Sequence, residues 1–64
     1  MALSVPELPH HCNSWIVVDE GVPVMETWDR AFVERLAANA KPGVEIHTAL
    51  GWLAQLEYDA RAKA

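Results

Sequence analysis

The sequence predicts a small α+β domain in the order β-β-α-β-α, a three-stranded antiparallel sheet (order 3-1-2) with two helices on one face. Three observations lead there. Ser14–Asp19 is β-branched and aromatic from Trp15 to Val18, and it runs into the turn-forming residues Asp19-Glu20-Gly21. Two later stretches, around residues 28–40 and 49–60, place apolar residues at helical spacing. Between them, Val44–His47 alternates apolar and polar side chains with the period of a strand.

The first strand is apolar on both faces and so belongs at the centre of the sheet. The second, Val22–Glu26, contains Pro23, which has no N–H to give to a ladder; this strand belongs at an edge. The third then pairs on the free side of the first. For the hairpin, a three-residue loop with Gly21 at a bulge sets Val18 opposite Val22 and Ile16 opposite Val24. One face of the sheet then reads Ile16, Val18, Val22, Val24, and the other Trp15, Val17, Pro23, Met25. A two-residue loop at Glu20-Gly21 mixes these sets, because a slip of one residue flips every side chain. The bulged form is expected because it gives one coherent aliphatic face.

The first helix is expected over Trp28–Ala38, capped by Thr27, with Asp29 in its first turn and Asn39 at its end. Its stripe is Trp28, Phe32, Val33, Leu36, Ala37 and Ala40. The second is expected from a Thr48 cap to about Ala62, with the stripe Ala49, Trp52, Leu53, Leu56 and Ala60. Glu57–Arg61 and Asp59–Lys63 are i,i+4 pairs in the favoured order. Residues 1–13, broken by Pro6 and Pro9, read as an irregular arm, and 14–64 as the single domain.

Composition bounds the function. A chain of 64 residues buries only about 60% of the surface its unfolded form exposes, so its stability is marginal. One cysteine excludes an internal disulfide and fits a reducing, cytoplasmic compartment. The net charge is −4 and the five basic residues are scattered, which argues against nucleic acid and against an anionic membrane surface. No apolar run approaches the roughly 20 residues of a membrane span, and the first residues lack the pattern of a signal peptide.

Side chains with chemistry are few. His10-His11-Cys12 is the one dense cluster able to ligate a metal, but adjacent residues diverge, and structural zinc wants four ligands in spaced pairs. Cys12 with a histidine can be drawn as nucleophile and base, yet no orienting residue is evident. The glycines Gly21, Gly43 and Gly51 are too far apart for a phosphate loop. No catalytic residue and no cofactor is therefore expected, and the chain is not expected to be an enzyme. The alternative is a small metal-binding module using His10, His11 and Cys12.

The segment Asn13-Ser14-Trp15-Ile16-Val17, the Val-rich strand ending Glu26-Thr27, and the stretch Val44-Glu45-Ile46-His47-Thr48-Ala49-Leu50-Gly51-Trp52-Leu53-Ala54-Gln55-Leu56 resemble small uncharacterised proteins encoded in phage and prophage genomes. The likeness spans roughly residues 13–56. It implies an accessory gene of a bacterial virus and supplies no catalytic residue. Together these readings predict a protein that acts by protein–protein interaction, as a homodimer or on a host or phage protein. The predicted surface is the second sheet face, Trp15, Val17, Pro23 and Met25, unless the arm covers it with Leu3, Val5 and Leu8.

Overall fold

The computed structural model describes residues 3–63; residues 1, 2 and 64, at the ends of the expected arm and domain, lie outside them. The element order is β1 (Trp15–Asp19), β2 (Val22–Thr27), α1 (Arg30–Ala38), β3 (Val44–Thr48) and α2 (Ala49–Lys63). The sheet is antiparallel in the order β2-β1-β3, so the apolar strand is central as expected.

The hairpin register differs from the expected one. Val18 pairs with Pro23 and Asp19 with Val22, which leaves a two-residue loop of Glu20 and Gly21. Both loop residues have positive φ, 54° and 80°, the pattern of a type I′ turn whose twist matches that of the flanking strands. The bulge is present, but it lies inside β2: Val17 pairs with Met25, and Val24 is the extra residue. A bulge beside Pro23 suits a residue that cannot donate to the ladder. The faces are therefore sorted differently. The first face carries Trp15, Val17, Met25, Thr27, Val44, Ile46 and Thr48; the second carries Ile16, Val18, Pro23, Glu26, Glu45 and His47. Pro23 is parted from Trp15, Val17 and Met25.

The loop is pinned by the α1–β3 connection, which lies at the same end of the sheet. Glu20 N–H donates to the Gly43 carbonyl at 3.0 Å. Gly43 itself has φ +92°, and a Cβ there would lie 2.8 Å from Glu20 Oε1. The turn and the α1–β3 connection thus lie against each other, and the backbone conformation at Gly43 is what favours glycine there, since the exposed Glu20 side chain is free to swing aside.

α1 starts two residues later than expected. Asp29, not Thr27, is the N-cap: its Oδ1 accepts from Phe32 N–H at 3.2 Å, while Thr27 Oγ1 accepts from Asp29 N–H at 3.1 Å. Trp28 therefore falls outside the helix and is 62% exposed. Asn39 closes the helix as expected, its N–H donating to Leu36 and its Nδ2 to the Arg35 carbonyl. The buried residues of α1 are Val33 and Ala37.

The helices do not share a face in the expected way. α1 lies over the face expected to be open, where Phe32 and Leu36 line one groove with Val17 and Met25. α2 follows β3 without a loop. Thr48 Oγ1 caps it by accepting from Gly51 N–H at 3.0 Å, and Ala49 N–H donates to the Ser14 carbonyl. Its Trp52 ring lies 5.3 Å from the His47 ring, on the second-face side. Beyond Trp52, every described residue of α2 is exposed.

The arm belongs to the body. Leu3 N–H donates to the Ala37 carbonyl at 3.0 Å, satisfying one of the carbonyls left over at the end of α1. The Pro6 carbonyl accepts from Trp15 Nε1 at 3.1 Å, and Leu3, Val5 and Leu8 are half-buried. Trp15 is 2% exposed and Val17 4%; Val33 and Ala37 of α1 are buried as well, and Val18 is buried on the second face. The Arg30 guanidinium lies 5.8 Å from the centre of the Trp15 ring, a cation–π contact that also faces Glu7 of the arm.

Candidate interaction surface

The four residues expected to form an interaction face are divided. Trp15 and Val17 are covered, Trp15 by the arm and Val17 along the groove beneath α1. Pro23 is exposed on the opposite face, and Met25 is 43% exposed at the rim of that groove. The arm occupies the place that the sequence left open for it or for a partner.

Exposed apolar side chains occur instead in two other places. One is the β2 edge and the groove beside it. Val22, Val24 and Met25 are exposed there. Between the sheet and α1 lies a groove of about 250 Å³, lined by Val17, Met25, Phe32, Leu36 and Val44, with Asp19 and Lys41 among its polar residues. The second place is α2. Leu53 is 60% exposed and Leu56 47%, and Leu50 and Tyr58 are exposed as well. Leu53, Leu56 and Ala60 lie on one stripe of the helix (i, i+3, i+7), the spacing of a helix that anchors in a groove. Glu57 pairs with Arg61 at 2.7 Å, but Asp59 accepts from Gln55 Nε2 at 3.1 Å rather than meeting Lys63.

Of the arm's metal-capable residues, Cys12 sits against the start of α2, at the backbone of Ala49 and Leu50. The Pro9 carbonyl accepts from Cys12 N–H at 3.0 Å across a turn in which His11 has φ 70°. The exposed rings of His10 and His11 stand edge to face, 4.2 Å apart. Among the described residues, no group of three or more His, Cys, Asp or Glu side chains is placed to share a metal. Cys12 is half-buried, with its Sγ 3.6 Å from the Ser14 carbonyl. Its thiol is held below the ordinary value, chiefly by the backbone at Leu50 and then at Ser14 and Ala49, against the opposing effects of burial and the Glu26 carboxylate. Ser14, though buried, is satisfied: its hydroxyl donates to Glu26 Oε2 at 2.9 Å. His47 Nε2 meets Glu45 Oε1 at 2.8 Å.

The surface missed by sequence reasoning is the solvent side of α2. Its apolar positions were legible at helical spacing, but spacing does not tell which body covers them. The fold defines the class, a three-stranded antiparallel α+β domain with no helix among the described residues long and apolar enough to cross a membrane. No known protein family, curated protein or solved structure matches this chain.

Proposed function

We propose that this chain is a non-enzymatic interaction protein, an accessory protein of a bacterial virus or prophage. It works in the cytoplasm of the host by binding itself or a host or phage protein. The observation that carries this reading is the concentration of exposed apolar side chains in two places: Val24 and Met25 on the edge strand β2, and Leu53 and Leu56 along α2. Large apolar patches rimmed by charge are what monomeric proteins avoid and interfaces use. The resemblance over residues 13–56 supports the viral origin.

The test is photo-crosslinking in a bacterial host, with a photoreactive side chain placed at Val24 or, in a second variant, at Tyr58. At least one position should join the chain to a polypeptide, either its own copy or another protein, and Leu53→Glu should abolish the adduct. If neither position captures any polypeptide, the reading is wrong.

A further inference from the structure

We infer that the groove between the sheet and α1 receives α2 of a second copy of this chain, each copy giving a helix and taking one in a two-fold dimer. This rests on the interaction reading above and names its partner.

The surface area comes first. The chain exposes 4754 Å². A folded monomer of 7.1 kDa is expected to expose about 4,100 Å². The excess, roughly 650 Å², is close to the ~800 Å² that each partner gives to a standard interface. A partner that covers both the groove and the α2 stripe would remove an area of this order.

The shapes are complementary. The groove is apolar along Val17, Met25, Phe32 and Leu36, and its 250 Å³ is open to solvent. Leu53, Leu56 and Ala60 offer two branched side chains and one small one along a single helix stripe. Charge agrees. Asp19 and Lys41 line the groove. Glu57 and Asp59 flank the α2 stripe on either side, and Lys63 lies one turn beyond Asp59. A docked helix thus has a carboxylate for Lys41 and an ammonium for Asp19.

The helix cannot be the chain's own. The groove lies on the first face, toward Asp19, Lys41 and Val44, where β3 begins. α2 leaves the other end of β3 with no intervening loop. It is fixed there by the Thr48 cap, the Ala49–Ser14 hydrogen bond and the Trp52–His47 contact on the second-face side. A second copy meets no such restriction, and exchanging the same contact twice closes a two-fold pair with nothing left over to propagate.

Sedimentation equilibrium of the full chain at micromolar concentration tests the inference. The native chain should be a dimer. Leu56→Glu, which disables the helix, and Met25→Glu, which disables the groove, should each be monomeric with the native circular dichroism spectrum. Should Met25→Glu fail to fold, Val24→Glu replaces it at a more exposed position of the groove lining. The decisive sample is the two variants mixed. The Met25→Glu chain still has its helix and the Leu56→Glu chain still has its groove, so one intact contact returns. The mixture should associate at least about tenfold more tightly than either variant alone. A monomeric native chain overturns the inference. So does a groove variant that stays dimeric, or a mixture that does not associate, the result expected if two α2 helices simply pair. A monomeric native chain that still crosslinks to another protein removes the self-docking and leaves the interaction reading standing; absence of any crosslink removes both.

Discussion

Trp15→Ala is expected to unfold this protein, and Trp28→Ala is expected to leave it almost untouched. The Trp15 ring is 2% exposed, its Nε1–H is bonded to the Pro6 carbonyl, and the Arg30 guanidinium lies over it. A buried indole removes about 150–250 Å² from water. At about 25 cal/mol per Å² that is roughly 4–6 kcal/mol, and measured Trp→Ala changes in cores cost about 3–5 kcal/mol. At 0.05–0.15 kcal/mol per residue, a domain of this length holds only about 3–10 kcal/mol in all. Trp28, 62% exposed and outside α1, should cost no more than about 0.5 kcal/mol. Trp15→Phe separates the two parts of the effect: it keeps most of the buried area and loses the hydrogen bond, at a cost of about 1 kcal/mol. Urea titrations followed by far-UV circular dichroism read all three without relying on tryptophan emission. Limited proteolysis reads the arm, which should be cut faster in Trp15→Phe. A folded Trp15→Ala chain with a native midpoint, or a Trp28→Ala chain as damaged as Trp15→Ala, would refute the placement of the core.

Other substitutions test the joints of the fold. Gly43→Ala must hold φ +92°, so it should lower stability by about 1–2 kcal/mol in the same titration; a neutral result would show that this loop readily adopts another conformation. Asp29→Ala removes the α1 cap and should cost about 1 kcal/mol, whereas Thr27→Ala, no longer the cap, should cost less. The Cys12 thiol, lowered chiefly by the backbone at Leu50, should be alkylated at a lower pH in the folded chain than in urea. A lowered thiol stabilises the fold above its unfolded value and loses that contribution as pH falls through its folded value, so stability should rise through the alkaline range where the unfolded thiol titrates. Coincident profiles would dismiss the effect. Replacing His10, His11 and Cys12 together by Ser should leave the circular dichroism spectrum intact; stoichiometric zinc, with unfolding on chelation, would instead promote the metal-binding alternative.

The strand order was legible because it depends on composition. An all-apolar β1 and a proline in β2 leave the sheet one sensible arrangement. The faces were not legible, because they depend on one residue of loop length. Asp19-Glu20-Gly21 admits a two- or a three-residue loop, and favouring one coherent aliphatic face meant accepting Gly21 as the bulge. The chain instead puts Glu20 into positive φ, at a cost that its bond to Gly43 and the fit of its side chain over that glycine help to offset. From that choice, Pro23 moves to the second face, and Trp15 and Val17 come under α1 and the arm. The caps were half legible: Thr27, Asp29 and Thr48 all have capping chemistry, and only the geometry decides between Thr27 and Asp29 for α1. The arm's role was the least legible part. Its anchors are backbone groups, the Leu3 N–H and the Pro6 carbonyl, which carry no sequence signature.

The two helices therefore stand in different thermodynamic positions. α1 is held by its cap, by Val33 and Ala37 in the core, and by the arm across its end. α2 has its Thr48 cap, a Glu57–Arg61 pair and cations in its last turn, but no buried residue. Helices of about 15 residues are marginal in water without tertiary packing, because nucleation costs more than a few local pairs return. Gly51 lowers the propensity further, yet it is where the Thr48 side chain comes closest, 2.9 Å from a would-be Cβ, so the cap and the propensity pull against each other at one position. An element with a good cap, an apolar stripe and no buried residue along that stripe would gain stability from a body that covered Leu53 and Leu56. On the interaction reading proposed above, folding and binding of α2 would then be one equilibrium, since a partner that removed those leucines from water would also fix the helix.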